Sequence, residues 1–191
     1  MPHSPTLYTV GHSNHPIDAF LGLLRRHGVD TLVDVRTVPH SRRHPQFRKR
    51  DLARSCVEAG IAYRWHGDAL GGIKRDSDCR TFEEAAARPG FADALGELVA
   101  LARDGAPALM CAEKEPMDCH RTVLVCRHLA KRPEAGGLAI RHIRTDGSLE
   151  AHSDFERRLV AAMGTAAPDL FAGDPVEAAY GARAAKMLGQ R

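Results

Sequence analysis

The sequence has no apolar run close to the roughly 20 residues that a membrane-spanning helix needs, so we expect no membrane segment. It also lacks a charged stretch followed by an apolar one, the pattern that opens a secretory signal. Its five cysteines are an odd number and contain no CxxC pair, which argues against a disulfide framework. These absences together predict a protein of the reducing cytoplasm.

A strong net charge is missing as well. The 191 residues include 27 Lys and Arg against 24 Asp and Glu, a formal net charge of +3. Such a balance does not indicate a nucleic-acid partner unless the positive charge is concentrated in one place. Residues 41–50, SRRHPQFRKR, are the one such concentration. We favour a solvated helix start there, with a phosphate or nucleic-acid contact as the alternative.

Short apolar runs typical of strands alternate along the chain with segments of helical periodicity. Strands are predicted at 6–10, 29–36, 61–66, 107–112 and 138–143, and helices at 15–28, 49–60, 90–105, 122–131 and 153–164. This alternation predicts an α/β fold, a three-layer αβα sandwich with a mainly parallel, Rossmann-like sheet. We predict one domain over residues 1–164. Residues 165–191 then form an extension, made of a loop and either a short helix or a frayed tail.

The loops that follow the predicted strands are the most polar parts of the chain. They read GHSNHP, TVPHSRRHP, GDALGG, CAEKEPMDCHR and RTDG. In a doubly wound sheet, ligands bind outside the carboxyl ends of the strands, where these loops lie. The sequence therefore predicts a functional site along one edge of the sheet.

The loop CAEKEPMDCHR, residues 111–121, carries the strongest signal for chemistry. Its last residues, Cys119, His120 and Arg121, directly precede a predicted helix. The N–H groups and the dipole at a helix start bind anions and lower the pKa of a thiol. We therefore predict a reactive thiol at Cys119 or Cys111, with His120 as an acid or base and Arg121 as an anion clamp.

Two further residues complete the interpretation of this loop. Glu113 is predicted to be a general base or an orienting carboxylate. Cys126 falls on the apolar face of the following helix and is interpreted as a small buried hydrophobe, a role that stays an alternative for Cys111.

The same residues allow a metal site as a second hypothesis. Its ligands would be Cys111, Cys119 and His120, with His12 from the first loop as a fourth. The spacing C-x7-C-H is not a standard zinc pattern, so the sequence requires no cofactor. Zinc and iron remain candidate cofactors.

Two other loops add candidates for binding. Ser13 or Asn14 could cap the helix that follows. His12 is not needed as a helix cap and is therefore an acid or base candidate. Asp34 and Arg36 end a strand that is predicted to be buried. Either they pair with each other, or Arg36 contacts a ligand while Asp34 orients it.

Four motifs, YTVGHSNHP, LVDVRTVPHSR, YRWHGDALGG and LMCAEKEPMDCHR, occur in this order over about residues 6–145. Together they resemble the bacterial and archaeal family called domain of unknown function 488, which brings no established reaction. The resemblance implies that the family's motif positions are His12, Ser13, Asp34, Arg36, Pro39, Ser41, Gly71, Gly72, Cys111, Glu113, Cys119, His120 and Arg121. On the residues alone, the glycine pair 71–72 either lets a backbone approach a ligand or makes a turn.

A looser similarity is to rhodanese domains, which also have a strand ending in DVR and a cysteine at a strand tip. The sequence departs from them because ten positions separate Cys111 from Arg121, too many for a tight anion-binding loop. This departure puts sulfur transfer in doubt.

The sequence thus predicts an enzyme, a thiol- or histidine-dependent hydrolase or transferase that acts on a small anionic or nucleotide-like substrate. One alternative is metal-dependent chemistry at the same cluster. Another is a module that binds nucleotides or nucleic acid through residues 41–50 without catalysis. A homodimer is compatible with the sequence, and no membrane partner is expected.

Overall fold

The computed structural model describes residues 4–74, 79–165 and 173–189. Within them, six strands form one sheet: β1 (Thr6–Gly11), β2 (Thr31–Asp34), β3 (Ala62–Trp65), β4 (Pro107–Cys111), β5 (Ala139–Ile143) and β6 (Leu149–Ala151). Their order is β3-β2-β4-β1-β5-β6. All neighbours run parallel except β5 and β6. The prediction of a mainly parallel sheet is confirmed.

The described residues also form seven α-helices: α1 (Ile17–Arg26), α2 (Lys49–Glu58), α3 (Phe82–Ala86), α4 (Phe91–Asp104), α5 (Arg127–Ala130), α6 (His152–Met163) and α7 (Pro175–Gly189). They cover the sheet on both faces, because successive strand residues point to opposite sides. Leu32 packs with Phe20 of α1 and Leu52 of α2, whereas its neighbour Val33 belongs to the core beneath α4, where Leu98 is buried. The three-layer sandwich is confirmed.

The two central strands, β1 and β4, position the functional loops. All five residues of β4 are buried, as expected for a parallel strand with helices on both faces. From β1 the chain crosses to β2 on one side, and from β4 it crosses to β5 on the other. The loops after β1 and β4 stay hydrogen-bonded to each other, His12 N–H to the Cys111 carbonyl over 2.9 Å. A crevice lies between the loop after β4 and the loop after β2, at the carboxyl edge of the sheet.

Several elements differ from the sequence prediction. The strand β6 was not predicted, because its three residues pair only at the edge of the sheet with β5. A single helix was predicted for 122–131, but the chain first makes a π-helical turn, Arg121–Cys126, before α5. Such turns insert one extra residue per turn and are frequent at functional sites.

The described part of the extension folds into α7, which has fifteen residues and buries Ala179, Tyr180 and Ala184. Residues 166–172 and 190–191 of the predicted extension lie outside the described residues. Among the helices that the structure describes, none combines the length and the apolar character needed to cross a membrane.

Candidate functional site

The loop after β4 brings four polar side chains together at the crevice. Glu113 Oε2 lies 2.8 Å from Cys111 Sγ and 3.1 Å from Cys119 Sγ. Cys111 Sγ also lies 3.5 Å from His120 Nδ1. One ligand-type atom from each of the four side chains falls within 4.8 Å of the others. We call this group the Cys–Glu–His cluster. The sequence predicted all four residues as site residues, and the structure places them side by side.

The two thiols lie below the protein surface, whereas the carboxylate reaches them from outside. Cys111 is 2% exposed and Cys119 is 0% exposed. Glu113, in contrast, is an exposed residue, and His120 is half-buried. Glu113 is therefore the member of the cluster that can move away most easily.

A backbone carbonyl sets the orientation of the His120 ring. The ring atom Nε2 lies 2.9 Å from the carbonyl oxygen of Val35, an atom that can only accept. Nε2 therefore carries a hydrogen, and Nδ1 is the ring atom that faces Cys111. This partner lies 85 positions away in the chain, so no local sequence signal could have revealed it.

Glycine is needed where the loop after β3 passes the His120 ring. A Cβ atom on Gly72 would lie 3.2 Å from both Cγ and Nδ1 of that ring. A Cβ atom on Gly71 would lie 2.2 Å from the carbonyl oxygen of Gly67. Thr37 Oγ1 donates to the Gly72 carbonyl over 2.9 Å and holds the loop in place. The backbone at Gly72 therefore comes close to a side chain of the cluster, and its approach to a ligand, one of the two sequence alternatives, stays a prediction.

Arg121 lies beneath the loop and is 0% exposed. Its guanidinium donates to the carbonyl oxygens of Glu113 over 2.7 Å and of Lys114 over 3.4 Å. Within the described residues it has no carboxylate partner, and its Nε has no hydrogen-bond partner at all. The group faces the loop backbone and the thiols, and it is not on the wall of the cavity, where an anion clamp for a substrate would stand.

The charges in the cluster influence one another strongly. Burial, together with the neighbouring Cys119 and Glu113, raises the pKa of Cys111. Burial also opposes ionisation of Cys119, but a hydrogen bond from Cys111 and the positive charges of Arg121 and His120 bring the pKa of Cys119 well below its usual value. The carboxylate end of Glu113 is turned inward between the two thiols, and its burial there raises the pKa of Glu113 although the residue as a whole is exposed. In the cluster as it stands, Cys119 is thus the favoured site of negative charge.

A second network lies beside the cluster at the ends of β1 and β2. The fully buried Asp34 accepts hydrogen bonds from Arg36 Nε at 2.9 Å, from Arg36 Nη2 at 2.6 Å and from the Tyr63 hydroxyl at 2.7 Å. Arg36 also lies on the wall of a cavity. Asp34 and Arg36 therefore pair with each other, as the first sequence alternative predicted, while contact of Arg36 with a ligand stays a prediction.

His12 uses both of its ring nitrogens in this network. Its Nε2 accepts from Arg36 Nη1 over 3.2 Å, so its Nδ1 carries the hydrogen and donates to the Ser13 carbonyl over 2.9 Å. Burial and the Arg36 charge lower the pKa of His12 to about 4. This arrangement favours a neutral, wall-forming histidine over the predicted acid or base. It also keeps His12 out of the Cys–Glu–His cluster, because a cation at its Nε2 would face a guanidinium.

A cavity of about 610 Å³ opens above the cluster. Cys111, Glu113 and His120 line it from the cluster side. Arg36, Thr37, His40, Ser41 and Lys74 are also among the residues that line it. Ser41, a motif position, is therefore on the wall, whereas Ser13 lines an adjoining cavity.

Sequence reasoning missed several residues of this site. His40 and Lys74 line the cavity but were only parts of polar loops in the sequence. Tyr63 reaches Asp34 from the neighbouring strand β3, where its phenol looked like an ordinary strand residue. The only available signal was position, since each lies in, or two residues before, a segment that leaves the carboxyl end of a strand.

Comparison with known proteins agrees with the motifs. No curated protein and no solved structure matches the chain. One family model, described as Domain of unknown function DUF488, matches residues 16–127, which is more than half of the chain. The matched range includes Arg36, the glycine pair and the whole Cys–Glu–His cluster, so the chain belongs to the DUF488 family.

Proposed function

We propose that the protein is a metal-dependent enzyme that acts on a small anionic substrate, with Zn²⁺ held by the Cys–Glu–His cluster. The observation that carries this proposal is the approach of four ligand-type atoms to within 4.8 Å of one another at the floor of a cavity. Thiolate, imidazole and carboxylate are the ligands that zinc takes in proteins. Fe²⁺ is the second candidate for the same ligands.

The geometry of the cluster supports a tetrahedral ion. Zinc–ligand bonds of about 2.0–2.3 Å in a tetrahedron place neighbouring ligand atoms about 3.3–3.8 Å apart. Cys111 Sγ and His120 Nδ1 already lie 3.5 Å apart. Glu113 Oε2 would have to retreat by roughly half an ångström from the two thiols, which its exposed position allows.

The surroundings of the cluster support the same conclusion. Histidine ligands of metals usually donate their second ring N–H to a carbonyl or carboxylate, as His120 does to Val35. Two thiolates and one carboxylate around a divalent ion leave one excess negative charge. Arg121, which is buried without a carboxylate, compensates it.

The difference in burial among the ligands points to a catalytic and not a structural ion. Structural zinc sites have four protein ligands, whereas catalytic sites keep three and leave one position open. Cys111, Cys119 and His120 are the less mobile ligands, and Glu113 is the exposed one. A substrate or water that replaces Glu113 would meet the ion inside the cavity, where Arg36 and Lys74 attract an anion. The chemistry that a zinc ion would supply there is a lower pKa of a bound water, about 7, and polarisation of a substrate oxygen.

Elemental analysis of the full chain, purified without chelators and then offered Zn²⁺ or Fe²⁺, tests the proposal. We expect about one ion per chain in the wild type and a loss of at least tenfold in affinity in Cys111→Ser, Cys119→Ser and His120→Ala. Cys126→Ser is the matched control, because that thiol is equally buried but outside the cluster. The proposed metal site would be contradicted if the wild type bound no ion, or if the control lost as much metal affinity as the cluster variants.

The same cluster allows a thiol nucleophile as a second function. The specific observation in its favour is the 3.5 Å contact of Cys111 Sγ with His120 Nδ1 on the cavity wall. A base held by a third group and facing a thiol is the usual arrangement for covalent catalysis. Iodoacetamide would then modify Cys111 in metal-free protein faster than Cys126, and His120→Ala would abolish the difference. Equal rates at both cysteines would exclude this function.

A further inference from the structure

The cavity above the cluster continues into a second one. This adjoining cavity measures about 460 Å³. The two share His12, His40, Ser41 and Ala112 on their walls, so they form one groove with two compartments. The inner compartment contains the Cys–Glu–His cluster. The outer compartment is the part lined by residues 13–14 and 40–44.

The outer compartment is lined by basic and neutral side chains alone. Arg42 and Arg43 lie on its wall, and no acidic residue does. Both arginines are exposed, and neither forms an ion pair with any residue that the structure describes. Other arginines are paired, for example Arg127 with Glu177 and Arg158 with Glu150. The two unpaired charges therefore remain available to an anion from outside the chain.

The loop that carries these arginines is held by its own backbone and by the core. The Ser41 hydroxyl accepts from the His44 N–H over 3.0 Å, and the Ser41 carbonyl accepts from Arg48 Nε over 3.2 Å. Phe47, fully buried, stacks on the His12 ring with centroids 4.2 Å apart. Because its backbone is anchored in this way, the loop loses less conformational entropy when it binds a ligand.

Another residue that lines the outer compartment has an unusual backbone conformation. Ser13 is the one non-glycine residue with positive φ, 46°, among those described. Its N–H donates to the carbonyl oxygen of Ala112 over 3.0 Å, which ties the loop after β1 to the loop after β4. Strained residues of this kind concentrate at ligand sites.

From these observations we infer that the substrate carries a terminal phosphate group that binds in the outer compartment, between Arg42 and Arg43. The rest of the substrate extends into the inner compartment, toward the cluster. The substrate class is thus a phosphorylated small molecule. Two arginines suit a dianionic phosphate, because each can donate two parallel hydrogen bonds to its oxygens. This inference rests on the proposed function for what happens at the cluster, but the phosphate site itself does not require the metal.

Calorimetric titration of the full chain with AMP, adenosine and inorganic phosphate tests the inference. We expect AMP to bind and adenosine, which lacks the phosphate, to bind at least about tenfold more weakly. The double variant Arg42→Ala/Arg43→Ala should lose at least about tenfold in AMP affinity. The control Arg50→Ala/Arg64→Ala removes two exposed charges outside both compartments. It should change the affinity for AMP by less than about twofold.

Other outcomes would overturn the inference. Equal losses in both double variants would mean unspecific charge attraction, and failure of the wild type to bind AMP or phosphate would remove the site. A third arm uses a single-stranded oligonucleotide without terminal phosphate. If it binds tighter than AMP and depends equally on Arg42 and Arg43, the ligand is a nucleic-acid backbone and not a small molecule.

Metal content measured on the same variants separates the two proposals. If Arg42→Ala/Arg43→Ala keeps its ion and loses AMP, both proposals stand. If no variant holds an ion but AMP binding still depends on these arginines, the phosphate site stands and the metal-dependent enzyme does not.

Discussion

Arg183 of α7 donates a hydrogen bond through its Nε to the carbonyl oxygen of Met117, over 2.9 Å. Its guanidinium also pairs with Asp118, the residue before Cys119. The C-terminal helix therefore holds the loop that carries the Cys–Glu–His cluster, although α7 lies outside the range matched by the family model. The same loop is held a second time at Glu115, by Arg144 and Arg158.

We predict that Arg183→Ala weakens metal binding by about tenfold, in line with the loss of an outer contact around a metal site. The loop would lose two anchors next to Cys119 while the four ligands stay in the chain. Lys186→Ala, an exposed substitution on the same helix, is the control and should leave affinity unchanged. Zinc affinity measured by competition with a coloured chelator checks both variants. Equal affinities would show that α7 does not position the site.

Gly72→Ala should displace the His120 ring. The new Cβ would lie 3.2 Å from two ring atoms, so the ring has to move by a few tenths of an ångström. We expect a loss of about 1–2 kcal/mol in stability, typical of overpacking, and weaker metal binding. Gly22→Ala in α1, where a Cβ meets nothing within 4 Å, should instead gain about 0.5–1 kcal/mol. Denaturant unfolding measures the free energy of unfolding of both variants. A Gly72→Ala variant as stable as the wild type and with full metal affinity would contradict the prediction.

Asp34→Asn should destabilise the protein by about 3 kcal/mol, because it leaves the buried Arg36 without its counter-charge. The matched control is Asp51→Asn. Asp51 pairs with Arg54 over 3.1 Å at the surface, where both side chains are largely exposed. Such a pair contributes less than about 1 kcal/mol. If urea unfolding showed a similar loss in the free energy of unfolding for both variants, burial of the Asp34–Arg36 pair would not add to its contribution to stability.

A chain of buried hydrogen bonds makes stability depend on pH. Thr9 Oγ1 lies 2.8 Å from His142 Nδ1, His142 Nε2 lies 3.0 Å from His152 Nδ1, and His152 Nε2 lies 3.2 Å from the Tyr180 hydroxyl oxygen. Tyr180 in turn donates to Glu156, also over 3.2 Å. Because burial lowers the pKa of both histidines, both rings are neutral in the folded state, and each can accept through Nδ1 and donate through Nε2 along this chain.

Burial lowers the pKa of His152 to about 4. The unfolded chain therefore takes up a proton below about pH 6.5, while the folded chain stays neutral down to about pH 4. Stability is present in full above pH 6.5 and falls as the pH drops toward 4. We expect His152 to account for a loss of about 2 kcal/mol between pH 7 and pH 5. Burial also lowers the pKa of His142 and adds to the effect.

Unfolding by urea at the two pH values measures this loss. His152→Gln removes one of the titrating rings and should reduce the difference, while His40→Gln, an exposed position, serves as the control. A wild type equally stable at pH 5 and pH 7 would show that the chain of hydrogen bonds does not restrict protonation.

Much of the architecture follows from local patterns in the sequence. Apolar runs such as LMC before a polar loop predicted the strands, and the alternation of strands with helices predicted the parallel sheet. The structure confirms the mainly parallel sheet. Cys126 was predicted to be a small buried hydrophobe, and it is 0% exposed. These features depend on the periodicity of a few neighbouring residues, which the sequence displays directly.

The roles of individual residues at the edge depended on contacts that no local pattern contains. By itself, the sequence determined that residues 12, 36 and 111–121 lie at one edge, because the carboxyl ends of parallel strands meet there. Only the tertiary structure decided that Glu113 joins the two thiols and His120, while His12 turns to Arg36. The ring of His120 is oriented by a carbonyl 85 positions away, and the loop is held by Arg183, 66 positions beyond Met117. A hydrogen bond depends on distance and direction in space, and residues so far apart in the chain acquire both only when the sheet and its helices have packed.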